Sequence, residues 1–557
     1  MKEKIAELLQ EHLPFTSDKL MLLIESPPDP KMGDYAFPCF SLAKELKKSP
    51  QEIAQGIVSK IKNTSDFENI EAKGPYVNFF VNRMSLARET IISILKKKNK
   101  YGSSTNQSGK KILIEFSSPN IAKPFGIGHL RSTIIGNSLS KIASFQGAKV
   151  VRLNYLGDWG TQFGKLIVGY ERWGNDKKLK SNPISHLLDI YVKVNADPEL
   201  EQPARDAFRK LEEGNKKYTA LWKKFRALSL KSFNSIYNEL GVSFDVVSGE
   251  SLYNKKKESV LKSLKSKNLL KESQGALIVD LENKGLGICL IQKSDGSTIY
   301  ATRDIAAAID RHTKYKFDEM WYEVGSEQRL HFKQVFSLLS MLGYPWAKNC
   351  VHIDHGLYLD SDGKKFSTRK GKTVYMEDIL KETEQIASDE INKREKLSKS
   401  ELSKRAHAIA LAAIYYGDLK NYRASDMLFD IDRFLSFEGD TGPYLLYSYA
   451  RAASILRKAK FSAKPSPKLE VPSDSEKELI NLLASFTEKA SEAFEQKAPH
   501  LIAHYAYNIS QLFNEWYHQE KIIGSSREEH GLYIVASYAQ VLKNSLSLLG
   551  IPVLERM

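Results

Sequence analysis

The segment from Ile112 to Thr133 constrains the fold of this 557-residue chain more than any other stretch. It begins with an apolar run ending at Phe116, which is typical of a buried β-strand. A turn-rich connection with two prolines follows, and the apolar spacing from Leu130 to Phe145 predicts a helix. Strand, loop and helix in this order open an α/β unit, in which ligands bind beyond the carboxyl ends of the strands. Because a helix N-terminus attracts anions, the segment predicts an anion-binding edge of a sheet.

Two glycine motifs look like nucleotide-binding fingerprints, but each lacks a required glycine. Gly126-Ile127-Gly128 is followed by Arg131, which stands where a dinucleotide fingerprint has its third glycine. Gly371-Lys372-Thr373 is similar to the end of a P-loop, but Phe366 occupies the place of its first glycine. What remains is a compact loop with His129 and a nearby lysine at a helix start. It suits a nucleotide phosphate, and an ordinary strand-to-helix turn is the alternative.

Length, charge and cysteine usage limit the class of protein. A chain of this length holds roughly three or four domains. The net charge of +15 and the pI of about 9.2 favour a polyanionic partner, although lysine-rich faces also serve solubility. Three distant cysteines form no CxxC pair, so neither a zinc site nor a disulfide framework is expected. The N-terminus is charged and amphipathic rather than a secretory signal, and no run reaches the roughly 18 apolar residues of a membrane span. A cytoplasmic protein without membrane contact is expected.

Hydrophobic periodicity predicts a multidomain α/β plus all-α fold in four parts. These are a small α/β domain at residues 1–105, a main α/β domain at 111–375 with insertions near 175–235 and 251–298, a connecting helical segment at 376–404, and a helix bundle at 405–557. In the first part we predict helices at 3–12, 41–45, 50–62 and 86–98 and a strand at 74–82. In the main domain we predict a strand at 244–247, a basic helix at 251–270, turns and short strands at 276–301, and a helix at 302–312.

Two carboxylates of the main domain suggest a cation socket. Glu115 ends the first strand of that domain, and Asp304 lies in the first turn of a predicted helix behind Tyr300. With amides from Asn120 and Gln328 they suit a planar guanidinium, which binds carboxylates bidentately and stacks on aromatic rings. The alternative is structural: Glu115 caps a turn and Asp304 favours a helix N-terminus.

Cationic residues of the same domain suit a triphosphate. Lys123, His129 and the glycine-bracketed basic loop Lys365–Lys372 could stabilise the charge on a departing pyrophosphate. A solvated surface turn is the alternative for the loop. No nucleophilic triad or metal cage is indicated, and none is needed if the acceptor is an α-carboxylate, whose pKa is about 3.5. Catalysis would then consist of alignment and electrostatics.

Four ordered motifs and the C-terminus strongly resemble those of class I arginyl-tRNA synthetases over essentially the whole chain. They are Ser118-Pro119-Asn120-Ile121-Ala122-Lys123-Pro124-Phe125 continuing through Gly128-His129-Leu130-Arg131-Ser132, then Leu156-Gly157-Asp158-Trp159-Gly160-Thr161-Gln162-Phe163-Gly164, Tyr300-Ala301-Thr302-Arg303-Asp304, Lys365-Phe366-Ser367-Thr368-Arg369-Lys370-Gly371, and the tail Pro552-Val553-Leu554-Glu555-Arg556-Met557.

The resemblance implies a Rossmann-type class I catalytic domain, an N-terminal domain that contacts the tRNA D-loop, and a C-terminal bundle that reads the anticodon. It also implies arginine–tRNA ligation by a monomer: L-arginine, ATP and Mg²⁺ give arginyl-adenylate, and the arginyl group passes to the terminal ribose of tRNA(Arg). Activation would require bound tRNA. The magnesium would accompany the nucleotide, so no protein-held metal is expected.

Matched to the family's motifs, three sets of site residues follow. The arginine-binding set is Glu115, Asn120, Tyr300, Asp304 and Gln328. The catalytic set is Lys123, Gly128, His129, Lys365, Ser367 and Lys370. The tRNA-binding set is Tyr76 and Asn78 for the D-loop, and Tyr444, Tyr447, Arg451 and Met557 for the anticodon; tyrosines are favoured there because aromatic rings stack on unpaired bases.

Departures from the family pattern leave alternatives open. Gly126 stands where the first signature normally begins with histidine, and the second signature has Phe366 for methionine and Thr368 for lysine, the last a common change in this family. Lys123, or secondarily Lys370, would have to supply the missing charge. Gly126 raises the alternative of a tRNA-binding paralogue with weakened catalysis. A class I synthetase for another amino acid is a further alternative, which Glu115 and Asp304 disfavour.

Overall fold

The computed structural model describes the chain except residues 26, 28, 62–64, 295–299, 361, 365–374, 394 and 465–466, and the side chains of residues 30 and 255. The chain forms two compact units. One unit comprises Met1–Tyr101, Arg451–Phe486 and Asn508–Leu542, and the other comprises Gly102–Ala450, Thr487–Tyr507 and Lys543–Met557. Among the helices that the structure describes, none is long and apolar enough to cross a membrane.

The N-terminal part of the first unit is a small α/β arrangement. Its elements are α1 (Lys2–Gln10), α2 (Ser17–Met21), β1 (Tyr35–Pro38), α3 (Phe40–Leu46), α4 (Pro50–Val58), β2 (Phe67–Lys73), β3 (Tyr76–Val81) and α5 (Arg83–Lys97). The strands form an antiparallel sheet in the order β1-β3-β2. The four predicted helices and the strand at 74–82 are confirmed in type. The sequence does not reveal β2, because only one of its seven residues is buried and its apolar residues do not alternate regularly with polar ones.

The second unit is built on a five-stranded parallel sheet. The strands of the chain after β3 are β4 (Lys111–Glu115), β5 (Lys149–Leu156), β6 (Val246–Gly249), β7 (Lys271–Ser273), β8 (Ala276–Asp280), β9 (Ile288–Gln292), β10 (Glu319–Gly325), β11 (Cys350–His355), β12 (Tyr358–Leu359) and β13 (Met427–Leu428). The order β11-β10-β4-β5-β6 is parallel throughout. The chain leaves β4 towards β5 on one side and returns to β10 on the other. This reversal beside β4 is the switch point at which doubly wound sheets bind ligands.

Helices make up most of the remaining chain, in both units. They are α6 (Ile127–Phe145), α7 (Thr161–Trp173), α8 (Asp176–Ser181), α9 (Pro183–Ala196), α10 (Glu201–Glu212), α11 (Lys216–Glu239), α12 (Lys257–Ser266), α13 (Tyr300–Tyr315), α14 (Arg329–Met341), α15 (Met376–Asn392), α16 (Lys399–Leu419), α17 (Ile431–Phe434), α18 (Gly442–Lys458), α19 (Asp474–Ala484), α20 (Phe486–Glu495), α21 (His500–Gln519) and α22 (Glu528–Leu549). The helical insertion predicted near 175–235 corresponds to α8–α11.

Most of helix α6 is buried, because the helix packs closely against the central sheet. Fourteen of its 19 residues are buried, including Arg131, Ser132 and Thr133. A Cβ at Gly136 would lie 2.2 Å from Cγ of Phe116, directly after β4. Ser132 donates to the buried Glu323 carboxylate of β10, which also bonds His355 Nδ1 of β11 at 2.6 Å. The helix is therefore tied to the sheet on both sides of the switch point.

Three local predictions in the main domain need correction. The strand predicted at 244–247 is β6 at Val246–Gly249, because Asp245 is engaged by the Arg152 guanidinium at 2.9 Å and strand pairing starts after it. The basic helix predicted at 251–270 is only α12, because Ser251 is bound to Asp158 and lies in a 3-10 segment, Glu250–Lys256, instead. Of the short strand predicted at 298–301, residues 298 and 299 lie outside the described residues, and Tyr300 already begins α13. The β-rich insertion itself is confirmed as the antiparallel sheet β7-β8-β9.

Candidate functional site

The loop after β4 has an unusual backbone at the switch point. Ser117, Ser118 and Ala122 all have positive φ angles, of 72°, 46° and 59°. The loop is held by side chains from other elements: Ser117 Oγ lies 2.7 Å from the Tyr237 hydroxyl, and the Ala122 N–H donates to Ser229 Oγ at 2.9 Å. Left-handed residues other than glycine cost on the order of 1–3 kcal/mol each and concentrate at functional sites. The strained loop therefore marks the switch point as a candidate site.

Asn120 joins this loop to the loop after β5. The Gly157 N–H donates to the Pro119 carbonyl at 3.1 Å, and the Ile121 N–H donates to the Gly157 carbonyl at 3.2 Å. A Cβ at Gly157 would lie 1.9 Å from Asn120 Oδ1, so only glycine permits this approach. The glycine of the Gly157-Asp158 motif therefore has a steric role.

Asp158 ties the same motif to the end of β6. Its side chain is fully buried and accepts from Arg226 Nε at 2.9 Å, the Ser251 N–H at 2.8 Å and the Ser251 hydroxyl at 3.0 Å. A Cβ at Gly249 would lie 2.3 Å from Asp158 Oδ2. Asp158 is thus a structural anchor that fixes the loop after β5 relative to helix α11 and to the segment after β6.

The segment at 123–129, which leads into α6, forms the phosphate-binding candidate of the site. Lys123 Nζ lies 5.4 Å from the centre of the Tyr191 ring. Burial and the positive charge of Lys123 lower the pKa of His129 to about 4, so this imidazole is neutral at pH 7. Its Nδ1 accepts the Gly126 N–H at 3.3 Å, which places the imidazole hydrogen on Nε2. Gly128 is exposed in the first turn. A neutral donor, a lysine and a helix N-terminus together suit a phosphate.

Gly126 is the N-cap of α6 and does not require glycine for its conformation. Its φ of −83° and ψ of 168° are accessible to any residue. Among the described residues, no atom lies within 4 Å of the point that a Cβ would occupy. The unusual glycine of the first signature is therefore not demanded by the backbone.

Glu115 is held by an arginine of the chain itself. Its buried carboxylate lies 2.6 Å from Arg311 Nη2, and the Arg311 guanidinium lies over the Tyr155 ring at 4.6 Å. Burial raises the pKa of Glu115 to about 7; Arg311 opposes this rise, and the negative Asp304 adds to it. Tyr155 links the two predicted carboxylates, because its ring lies against the Arg311 guanidinium that holds Glu115 and its hydroxyl donates to Asp304 at 3.4 Å.

Asp304 lies at the same edge with partners that are not arginines. Its Oδ2 is 2.7 Å from His331 Nε2, and its Oδ1 accepts from the Tyr155 hydroxyl at 3.4 Å. About a fifth of its side chain is exposed (22%), unlike that of Glu115. Asp304 is therefore the accessible carboxylate of the predicted pair.

Glu250 is a third carboxylate of this cluster, and the sequence patterns do not indicate it. Its Oε2 lies 3.2 Å from Arg303 Nη2, and burial raises its pKa to about 7, with Arg303 opposing the rise and Asp304 and Asp158 adding to it. The position of Glu250 in the sequence could have indicated it, because Glu250 directly follows β6 and the carboxyl ends of parallel strands share one sheet edge.

The other predicted ligands of the main domain occupy more open positions. Tyr300 is 64% exposed at the start of α13, with the Arg303 guanidinium 5.1 Å from its ring centre. Gln328 is exposed at the N-cap of α14, just after β10. Lys365, Ser367 and Lys370 lie outside the described residues. Their predicted roles stay predictions.

Within the first unit, the two D-loop candidates differ in exposure. Tyr76 is half-buried, and its ring meets the exposed Phe40 edge-to-face at 5.6 Å. Asn78 is only 1% exposed, and its Nδ2 is buried without a hydrogen-bond partner among the described residues. In the same unit Arg451 bonds Asn514 and lies over the Tyr517 ring at 5.2 Å.

Within the second unit, the remaining tRNA candidates reach the surface to different degrees. Tyr444 is half-buried against the Tyr507 ring at 5.7 Å, and Tyr447 is 39% exposed one turn further along α18. Met557 is half-buried at the C-terminus. Tyr447 has the exposure that stacking on a base requires.

Family models match nearly the whole chain. The model of the arginyl-tRNA synthetase N-terminal domain matches residues 1–81. The model described as tRNA synthetases class I (R), catalytic domain, matches residues 90–431, and the DALR anticodon binding domain matches residues 445–557.

Full-length relatives agree with these matches. An arginine–tRNA ligase of Clostridium perfringens is 45% identical over 570 residues, with all of both chains covered. The solved arginyl-tRNA synthetase of Thermus thermophilus is 26% identical with a TM-score of 0.83 and covers 100% of this chain and 99% of its own. The arginyl-tRNA synthetase of Plasmodium falciparum is 25% identical with a TM-score of 0.80, and the match covers 100% of this chain and 99% of that one. With its Rossmann-type parallel sheet, its N-terminal domain and its C-terminal helical domain, the chain belongs to the class I arginyl-tRNA synthetase family.

Proposed function

We propose that the chain is an active arginine–tRNA ligase. It activates L-arginine with ATP to arginyl-adenylate, releases pyrophosphate, and transfers the arginyl group to the 3′-terminal ribose of tRNA(Arg). The observation that carries this proposal is the accessible Asp304 carboxylate beside Glu115 at the carboxyl end of β4, the strand that leads on to Lys123 and His129. The alternative of a tRNA-binding paralogue has no support from the full-length relatives.

On the amino-acid side, Asp304 takes the guanidinium of the substrate. A carboxylate and a guanidinium form two parallel hydrogen bonds, so the site binds a planar guanidinium more tightly than an ammonium group. Tyr300, Asn120 and Gln328 complete the pocket in this proposal. Glu115 contributes indirectly, because its carboxylate is already engaged by Arg311.

On the nucleotide side, the α-carboxylate of arginine attacks the α-phosphorus of ATP, and the bond to pyrophosphate breaks. Lys123, neutral His129 and the open backbone at Gly128 bind the phosphates, together with Lys365, Ser367 and Lys370. Mg²⁺ accompanies the triphosphate, and among the described residues no group of three or more acidic, histidine or cysteine side chains could hold a metal ion. These groups stabilise the leaving charge, and alignment contributes roughly 7–11 kcal/mol at best.

tRNA(Arg) is the macromolecular partner in this proposal. Tyr76 and Asn78 contact the D-loop, and Tyr444, Tyr447, Arg451 and Met557 contact the anticodon loop. Activation requires bound tRNA. The protein acts in the cytoplasm as a monomer, which sedimentation at micromolar concentration would test.

The decisive experiment is arginine-dependent ATP–pyrophosphate exchange, with and without tRNA(Arg). Exchange that appears only with tRNA supports the whole proposal, and no exchange despite tight tRNA binding refutes it. Asp304→Asn should raise the KM for arginine by about 10- to 100-fold, since a hydrogen bond to a charged group is lost. Asp310→Asn is the matched control, because Asp310 lies on the same helix and pairs with Lys256 instead.

A further inference from the structure

His331 is a polar residue of the sheet edge that no sequence motif singles out. It lies in the first turn of α14, directly after β10, and 20% of its side chain is exposed. Its Nε2 is 2.7 Å from Asp304 Oδ2, and its ring meets Phe332 edge-to-face at 5.4 Å. An ionised carboxylate can only accept, so the shared hydrogen is on His331 Nε2.

The charges of the cluster show why Asp304 differs from its neighbours. Glu115 is paired with Arg311 at 2.6 Å, and Glu250 is paired with Arg303 at 3.2 Å. In the described part of the chain, no lysine or arginine lies within ion-pair distance of Asp304. The internal guanidinium groups therefore leave one carboxylate of the three for an external cation.

The two hydrogen bonds to Asp304 are arranged so that both of its oxygens stay usable. His331 bonds Oδ2 and Tyr155 bonds Oδ1, one bond to each oxygen. A carboxylate offers about four acceptor positions, so each oxygen keeps a free position, and the plane of the group is held from two directions. A guanidinium fork needs this arrangement, with one free position on each oxygen.

Tyr155 is itself held in place by the neighbouring ion pair. Its ring lies under the Arg311 guanidinium at 4.6 Å and meets the Tyr253 ring at 6.1 Å. Because Arg311 is bound to Glu115, the buried pair fixes the ring whose hydroxyl reaches Asp304. This gives Glu115 an indirect part in the pocket.

We propose that His331 and Tyr155 are positioning residues that orient the Asp304 carboxylate for bidentate capture of the arginine guanidinium. This inference rests on the proposed function, in which Asp304 binds the substrate side chain. The two residues act on arginine affinity and on selectivity for a planar cation, and they leave ATP use and phosphate chemistry unchanged.

The test compares His331→Leu with His331→Gln in the full-length enzyme, by exchange kinetics in the presence of tRNA(Arg). Glutamine places an N–H donor where Nε2 stands, whereas leucine has none. His331→Leu should raise the KM for arginine about tenfold, with kcat and the KM for ATP within about threefold of the parent. His331→Gln should restore the KM for arginine to within about threefold of the parent value.

His352→Gln is the matched control, because His352 packs on the same Phe332 ring at 4.6 Å but bonds the Val324 carbonyl. It should leave the KM for arginine within about twofold. If His331→Leu does not fold, as judged by circular dichroism, Tyr155→Phe decides, and it should raise the KM for arginine by about three- to tenfold.

The outcomes distinguish a failure of the positioning role from a failure of the proposed arginine–tRNA ligase function. A parent enzyme without exchange would refute the proposed function. If Asp304→Asn raises the KM for arginine while His331→Leu and Tyr155→Phe do not, the function stands and the positioning role is refuted. A parallel loss of kcat and ATP use in His331→Leu, without rescue by glutamine, would mean a merely structural histidine and would also refute the role.

Discussion

At the scale of single residues, burial and neighbouring charge decide which groups of the site are charged. The pKa values of His129 and Glu115 shift in opposite directions, and both shifts favour the neutral form. The pKa of His129 falls to about 4, and that of Glu115 rises to about 7. Both shifts are caused first by removal from water. In the proposed site, the phosphate-binding side therefore has a neutral hydrogen-bond donor at His129, and Asp304 is the carboxylate that bonds a histidine and a tyrosine rather than an arginine.

The lowered pKa of His129 predicts a pH-dependent stability. Between pH 6.5 and about 4, His129 is protonated in the unfolded chain but not in the folded chain. The stability that comes from a neutral His129 is therefore fully present above pH 6.5 and is lost as the pH falls towards 4. His129→Asn should remove it. Urea unfolding at several pH values should therefore show the stability of the parent falling relative to the variant as the pH drops. Parallel stability curves for the two proteins would contradict the prediction.

Replacement of Gly126 by histidine should raise the rate of ATP–pyrophosphate exchange rather than lower it. Its extended backbone and the open space around it accept a side chain, so Gly126→His should change the unfolding free energy by less than about 1 kcal/mol. A histidine there would add a donor near the phosphates, and we expect faster ATP–pyrophosphate exchange at an unchanged KM for arginine. Gly126→Ala controls for the backbone, and slower exchange in Gly126→His alone would count against the prediction.

At the scale of elements, helix α6 connects the binding loop to the sheet. Its N-terminus carries the phosphate-binding candidates, while its buried middle packs on Phe116 through Gly136. The strained residues Ser117 and Ser118 lie between β4 and this helix. Close packing of the helix therefore supports a loop conformation that would be costly in isolation.

Gly136→Ala tests this packing. The added methyl would stand 2.2 Å from Phe116 Cγ, so we expect a loss of about 1–3 kcal/mol in the free energy of unfolding, more than the gain in helix propensity. Gly56→Ala in α4 is the control. No described atom lies within 4 Å of that position, so propensity alone should stabilise the protein by roughly 0.5–1 kcal/mol. Denaturant titration of both variants gives the comparison, and equal effects would refute the steric role.

At the scale of the whole molecule, the excess of basic residues is the property that bears on a polyanionic partner. The net charge of +15 is spread along the chain, including the lysine-rich last turn of α5 and the insertion helices α8 and α11. Basic surfaces attract nucleic acid through phosphate contacts that release counterions. The association should therefore be fast and strongly dependent on salt.

The affinity for tRNA(Arg) should fall by at least about 100-fold between 50 and 200 mM salt, as expected for about four phosphate contacts. Fluorescence titration of labelled tRNA measures it. The KM for free arginine, determined under saturating tRNA, serves as the control and should change much less. A tRNA affinity that varies less than about threefold would exclude the basic surface as the docking face.

The sequence by itself determined the strand–loop–helix opening, the basic character and the ordered motifs, because these depend on local periodicity, composition and spacing. It therefore predicted the fold class and the family, together with Asp304 and His129 at one edge. Only the tertiary structure decided that Arg311 engages Glu115, that Glu250 joins the cluster, and that His331 and Tyr155 hold Asp304. The physical reason is that burial and ion pairing arise between residues far apart in the chain, where no local pattern records which partner a charge will find.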